Sequence, residues 1–80
     1  MVEELKAATT LDLKGLVCPI PIVKISQAVK QVQVGETIEA VATDPGVLAD
    51  IPAWCKTSKN ELVKMERVDK VFHFIVRRLV

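Results

Sequence analysis

The stretch Gly15-Leu16-Val17-Cys18-Pro19-Ile20-Pro21 connects a segment typical of a β-strand to one typical of an α-helix. Proline suits the first position of a helix, where its missing N–H would have no intrahelical partner, so Pro19 is predicted there. Pro21 also falls in the first turn, and the two prolines restrict the backbone that presents Cys18. Unpaired N–H groups and the positive end of the helix dipole favour a thiolate at such a place. Cys18 is therefore a candidate nucleophile.

The segments on either side of this stretch predict a βαβ unit. Residues 10–14 alternate apolar and polar side chains, which indicates a strand that Gly15 ends. From Pro19 to Val32 the apolar residues recur at helical spacing, and the helix is predicted to end near Gly35. That apolar stripe consists of Ile22, Ile25, Val29 and Val32, with Val23 and Ala28 beside it. Residues 36–42 alternate again, so two parallel strands with a right-handed crossover are expected.

The second half of the chain predicts another helix and a hairpin. Thr43-Asp44-Pro45-Gly46 is a turn signal, with Asp44 as a candidate helix cap. The apolar side of the helix is predicted to hold Val47, Leu48, Ile51, Trp54 and Cys55, with Trp54 packed against the sheet. Proline is disfavoured inside a helix, so the regular helix is expected to start around Ala49 or to bend at Pro52.

The last two segments are strand-like and close the fold. Residues 61–68 and 71–78 are separated by Asp69-Lys70, a tight hairpin pattern in which lysine is a poorer turn residue than glycine. The side chains expected to be buried are Leu62, Phe72, Phe74 and Val76. The summed order is βαβαββ, and two helices covering one face of a sheet make a two-layer α/β sandwich.

Composition limits the classes of function. The chain has 80 residues, 11 basic and 10 acidic side chains and a net charge of +1, so we expect one domain over residues 1–80 and no nucleic-acid partner. Residues 1–9 are expected to form a loosely ordered N-terminal extension. No segment has the length of a transmembrane helix or an apolar signal core, which predicts a cytoplasmic protein. No cluster has zinc-ligand spacing, and His73 is interpreted as a half-buried strand residue.

The chain resembles the TusA-type family of sulfur carrier proteins, also called SirA-like, from about Leu11 to Arg78. The family's hallmark Cys-Pro-x-Pro after a Gly-Leu-x step stands here as residues 15–21. A second matching stretch is Ala42-Thr43-Asp44-Pro45-Gly46, followed by Asp50-Ile51-Pro52-Ala53-Trp54-Cys55. A third is Asn60-Glu61-Leu62. The resemblance implies a βαβαββ fold with a mixed four-stranded sheet and two helices on one face.

The same resemblance implies a chemistry for Cys18. Cys18 is expected to accept sulfane sulfur as a persulfide and to relay it to another protein, with Gly15, Pro19 and Pro21 positioning it. Donors in the family are cysteine desulfurases and rhodanese-type enzymes, and acceptors belong to tRNA thiolation, molybdenum-cofactor biosynthesis or sulfur oxidation. No cofactor and no metal is implied, and a chain of this size with balanced charge is expected to be a monomer.

Two alternatives follow from the residues themselves. Cys18 is purely structural if the protein is a non-catalytic regulatory or interaction module, because free cysteine also packs as a small hydrophobe. A small thiol redox protein would instead use Cys18 together with Cys55, which falls on the apolar side of the second helix. Core packing is the simpler interpretation of Cys55. The more specific interpretation is a secondary thiol that acts as a resolving cysteine for Cys18.

Overall fold

The computed structural model describes residues 8–17 and 19–80, and these form the predicted order of four strands and two helices. The elements are β1 (Thr9–Leu13), α1 (Ile20–Val29), β2 (Thr37–Ala42), α2 (Val47–Ser58), β3 (Glu61–Val68) and β4 (Val71–Arg77). β1 begins one residue earlier than predicted. Residues 1–7 of the predicted N-terminal extension lie outside the described residues, and so does Cys18.

The sheet has the strand order β1-β2-β4-β3 and is mixed. β1 and β2 are parallel, whereas β4 pairs antiparallel with both β2 and β3. Leu13 lies opposite Ala42 at the carboxyl ends of the parallel pair. Because α1 follows β1 and α2 follows β2, both helices begin at this same edge of the sheet. Reactive groups commonly gather at such an edge in open α/β sheets.

The core lies between the two helices and one face of the sheet. Its buried side chains are Leu13, Ile25, Val29, Val32, Ile38, Ala40, Ala42, Val47, Ile51, Cys55, Phe72, Phe74 and Val76. Leu11, Ile22, Ala28, Trp54 and Leu62 are partly buried against them. The alternation along the strands and the stripe on the first helix are therefore confirmed. Trp54 is on the apolar side of α2 as predicted, but it is half-buried at the margin of the core.

α1 is shorter than the periodicity predicts. It begins at Ile20 and ends at Val29, because the chain turns where the Gln31 N–H donates to the Ala28 carbonyl. Val32 follows the end of the helix, but its side chain is buried in the core, as its place in the apolar stripe predicts. Val23 is exposed rather than beside the buried stripe.

α2 begins earlier than predicted, and the expected start around Ala49 is wrong. Gly46 is the N-cap, rather than Asp44, and the helix runs from Val47 through Pro52. Pro52 is exposed, so the carbonyl that loses its helical donor lies on a side that water can reach. Leu48 is also exposed, which makes its predicted burial wrong.

The hairpin between β3 and β4 turns through Asp69 and Lys70, as predicted. Asp69 adopts a positive φ of 56°, while Lys70 does not. Aspartate tolerates this conformation better than most residues, and lysine is therefore accepted at the second position. The turn therefore needs no glycine, because its one residue with a positive φ is an aspartate.

Candidate functional site

The loop that leads to Cys18 leaves β1 in a tight turn. The Leu16 N–H donates to the Leu13 carbonyl at 3.2 Å, and Gly15 within this turn has a φ of +83°. A side chain at Gly15 would meet no atom within 4 Å, so space does not explain the glycine. The positive φ does, because residues with a Cβ rarely adopt it.

A hydrogen bond joins this loop to the loop before α2. The Gly15 N–H donates to Thr43 Oγ1 at 2.9 Å, and Thr43 directly follows β2. The first loop therefore rests against the segment that starts the second helix. The Ala42-to-Gly46 stretch, which the family resemblance singled out, thus contributes a supporting contact to the candidate site.

The neighbours of Cys18 are exposed on both sides. Val17 exposes 65% of its surface, and Pro19 is also exposed. Pro19 is the N-cap of α1, with Ile20 at the first helical position, so the prediction of Pro19 at that position is wrong by one residue. Cys18 itself lies outside the described residues, so its location is given only by its two covalent neighbours, Val17 and Pro19.

The first turn of α1 holds few N–H donors. Pro19 and Pro21 have none, and the Ile20 N–H donates to the Val17 carbonyl at 2.9 Å. Ile22 supplies the other N–H of this turn. Fewer unpaired N–H groups than expected are therefore available here to favour a thiolate. More of that electrostatic effect must come from the positive end of the helix dipole.

Pro21 has a packing role that the sequence analysis missed. Its side chain is fully buried, whereas Pro19 two residues earlier is exposed. Pro21 falls in register with Ile25 and Val29 at four-residue spacing, which is the signal that predicts it on the core side of the helix. The ring fixes the start of α1 onto the core.

Cys55 lies away from the N-terminal edge. It is the ninth of the twelve residues of α2, about 12 Å along the helix axis from Val47. Only 3% of its surface is exposed, and burial raises the pKa of its thiol from 9.0 to about 11. A protonated, buried thiol is a poor nucleophile.

Concave surfaces occur elsewhere on the molecule. One cavity of about 430 Å³ lies between the start of β1 and the end of α1. Another of about 380 Å³ lies on the open face of the sheet beside His73, which is half-buried in β4 as interpreted. Neither includes a residue of the loop 14–17 or of Pro19.

Two further properties concern only the part of the chain that the structure describes. Within it, no three His, Cys, Asp or Glu side chains lie close enough together to hold a metal ion. In the same residues, neither helix has the length and apolar character needed to cross a bilayer.

Comparison with known proteins gives a consistent match. The family model described as "Sulfurtransferase TusA" matches residues 9–78. The "Sulfur carrier protein TusA" of Allochromatium vinosum is 34% identical over 68 residues, which cover 85% of this chain and 90% of that protein. A solved structure of a SirA-like protein from Desulfitobacterium hafniense superposes with a TM-score of 0.77 at 16% identity, covering 90% of this chain and 99% of that one. That structure supports the fold.

Longer relatives also contain a region similar to this chain. The "Putative sulfur carrier protein YrkF" of Bacillus subtilis is 39% identical over 74 residues, which are 92% of this chain and 40% of the relative. A relative from Aquifex aeolicus is 42% identical over 67 residues, which are 84% of this chain and 34% of the relative. The chain thus spans between a third and two fifths of the length of these two proteins.

Proposed function

Because the chain belongs to the TusA family, we propose that it is a sulfur carrier in which Cys18 accepts sulfane sulfur as a persulfide and relays it to a partner protein. The observation that carries this proposal is the place of Cys18 in the chain. It stands directly before the N-cap of α1, between exposed Val17 and exposed Pro19, at the edge where both helices begin. Gly15, Pro19 and Pro21 are proposed to position it.

The proposed transfer is a substitution at sulfur. The Cys18 thiolate attacks the outer sulfur of a persulfide on the donor, and a new S–S bond forms as the donor's S–S bond breaks. The donor cysteine leaves as a thiolate, and the outer sulfur stays on Cys18 with its negative charge. No net oxidation occurs and no general base is needed once Cys18 is ionised. The dipole of α1 favours both the attacking thiolate and the anionic persulfide.

The donor and acceptor are proposed as proteins. A cysteine desulfurase or a rhodanese is the proposed donor, and the acceptor belongs to tRNA thiolation, cofactor biosynthesis or sulfur oxidation. The exposure of Val17 and Pro19 on either side of Cys18 favours delivery by a protein, because a partner can reach the chain there. We further propose that the chain is one domain and a cytoplasmic monomer that does not itself bind nucleic acid.

The redox alternative is disfavoured by the position of Cys55. Val17 and Pro19 lie at the edge where both helices begin, whereas Cys55 lies about 12 Å along the axis of α2 from the first residue of that helix. A disulfide would need the Cα atoms of the two cysteines within about 7 Å. The thiol of Cys55 is buried, and its raised pKa suppresses attack on another sulfur. Cys55 is therefore proposed as a core residue, and Cys18 is proposed to act alone.

Intact-protein mass spectrometry tests the proposal. The protein is incubated with a cysteine desulfurase and cysteine, or with a rhodanese and thiosulfate, and its mass is measured before and after reduction. We expect a gain of one sulfur atom that reductant removes, that Cys18→Ser abolishes and that Cys55→Ala retains. Absence of the added sulfur with both donors contradicts a relay. A Cys18–Cys55 disulfide without added sulfur supports the redox alternative instead.

A further inference from the structure

The turn before Cys18 makes one hydrogen bond within its own strand and one to a distant segment. The Leu16 N–H donates to the Leu13 carbonyl at 3.2 Å, which closes the turn at the end of β1. The Gly15 N–H donates to Thr43 Oγ1 at 2.9 Å, in the segment that follows β2. The first bond shapes the turn. The second fixes the turn relative to the sheet edge where both helices begin.

Thr43 offers this oxygen from a well-anchored stretch of backbone. Ala42, directly before it, is fully buried and lies opposite Leu13 in the parallel pair. Val47, the first residue of α2, is also fully buried. Thr43 is half-buried between them, and its β-branched side chain has restricted rotation about χ1. The hydroxyl is therefore an acceptor with a defined position.

The chain from this turn to the first helix is short. Only three residues separate Gly15 from Pro19, and Cys18 is the last of them. At the far end, the ring of Pro19 restricts its own φ, and the buried Pro21 fixes the start of α1 onto the core. A displacement of Gly15 must therefore be taken up by the few bonds that lead to Cys18.

We propose that Thr43 is a positioning residue for sulfur transfer by Cys18. By accepting the Gly15 N–H, its hydroxyl holds the loop in the conformation that places Cys18 at the positive end of α1, where a thiolate is favoured. This inference deepens the proposed function and rests on it. Thr43 acts through Gly15 and not on the transferred sulfur.

Three variants test this role. Thr43→Val keeps the side-chain shape but removes the acceptor, and Thr43→Ser restores the hydroxyl. Ser58→Ala is the matched control, because it removes a hydroxyl from the opposite end of α2, where Ser58 Oγ donates to the Trp54 carbonyl at 2.7 Å.

Two reactions of Cys18 are measured in each variant. One is alkylation by iodoacetamide over a range of pH, with peptide mapping to separate Cys18 from Cys55. The other is persulfide loading from the protein donor that is active on the wild type, analysed as kcat and KM. Urea unfolding gives the stability of each variant.

We expect Thr43→Val to slow alkylation at neutral pH and to lower the kcat of loading by about fivefold, the factor that corresponds to one neutral hydrogen bond. Its alkylation profile should move to higher pH, while the KM stays as in the wild type. Thr43→Ser should restore both rates. Ser58→Ala should lose stability but react as the wild type, because a loss of this size leaves nearly all molecules folded.

Each contrary outcome has a definite meaning. Wild-type rates in Thr43→Val overturn the positioning role and leave the sulfur carrier intact. Equal slowing in Thr43→Ser, or in Ser58→Ala, also overturns it, because the methyl group or general stability then explains the effect. Slower reaction with an unchanged pH profile overturns the link to the helix dipole. If neither donor loads the wild type, the proposed function is contradicted, and alkylation alone then decides whether Thr43 positions Cys18.

Discussion

The backbone N–H of Gly15 donates a hydrogen bond to Oγ1 of Thr43 at 2.9 Å, across 28 positions of the sequence. Gly15 lies in the turn that leads to Cys18, and Thr43 follows β2 just before the loop that starts α2. The hydroxyl thus holds together the two loops at the edge where both helices begin. The turn that leads to Cys18 is therefore held by a residue from the other half of the fold.

Replacing Thr43 with Val should therefore weaken this edge. The substitution keeps the side-chain shape but removes the acceptor of the Gly15 N–H, and we expect a loss of about 1 kcal/mol in the free energy of unfolding. Urea unfolding measures it. Thr43→Ser keeps the hydroxyl and is the control, expected to retain most of the stability. Equal losses in both variants would show that the methyl group matters and the hydrogen bond does not.

Replacing Lys59 with Gly should stabilise the protein. Lys59 ends α2 with a φ of 64°, where its N–H donates to the Lys56 carbonyl and the Asn60 N–H donates to the Cys55 carbonyl. Glycine adopts this left-handed conformation without the steric cost that lysine incurs, and we expect a gain of about 1 kcal/mol. Thermal or urea unfolding measures the gain.

Lys30 provides the matched control for that prediction. It occupies the same kind of place at the end of α1 but has a φ of −75°, within the right-handed helical region. Lys30→Gly should lower the stability by several tenths of a kcal/mol, up to about 1 kcal/mol, because glycine there only adds freedom to the unfolded chain. A gain in both variants would contradict the backbone explanation.

The buried thiol of Cys55 should make stability fall at high pH. Burial raises its pKa from 9.0 to about 11, so the unfolded chain releases this proton first. The contribution to stability is complete below pH 9 and is lost as the pH rises toward 11, by up to about 2–3 kcal/mol. Urea unfolding at several pH values, in proteins that all carry Cys18→Ser, compares Cys55 with Cys55→Ala.

The Cys55→Ala variant starts lower in stability, because a buried side chain is shortened, but it should lack this part of the pH dependence. The difference between the two proteins should therefore shrink as the pH rises through the stated interval. A constant difference would mean that the Cys55 thiol ionises with its ordinary pKa. Native-state alkylation adds a check, since Cys55 should react with iodoacetamide far more slowly than Cys18.

The period of the apolar residues was enough to predict the element order and the buried faces. Alternation placed Leu13 and Phe74 in the core, and the four-residue spacing placed Ile25 and Val29 there. These side chains are buried because each strand or helix has one face toward the other layer, which a local pattern records directly. The predicted sandwich with two helices on one face follows from the same patterns.

Predictions from local sequence preferences were wrong where the position of a residue in the folded protein decides its energetic cost. Pro52 predicts a helix that starts around Ala49 or bends at Pro52, yet α2 begins at Val47 and contains Pro52, which is accepted because its side of the helix faces solvent. The bond from Gly15 to Thr43 joins residues far apart in sequence, so no local pattern predicts it. The place of Cys18 before the helix was recognisable from the prolines, whereas the different burial of those prolines was not.

The two prolines after Cys18 should separate into one that acts on transfer and one that acts on folding. Pro19 is exposed at the N-cap, so Pro19→Ala should leave the unfolding free energy within about 0.5 kcal/mol of the wild type while slowing sulfur transfer through Cys18. Pro21 is fully buried, so Pro21→Ala should cost about 1–2 kcal/mol through lost packing. Urea unfolding and the rate of persulfide loading measure the two effects.

Pro45 supplies the control, because it is an exposed proline before the other helix and is not bonded to Cys18 in the sequence. Pro45→Ala should change neither transfer nor stability by more than an ordinary surface substitution. The reason for the contrast is that Pro19 restricts the backbone bonded directly to Cys18, whereas Pro21 fixes α1 onto its core. If Pro19→Ala transfers sulfur at the wild-type rate, the ring at the N-cap does not position the thiol. If Pro21→Ala keeps full stability, its burial contributes nothing that alanine cannot replace.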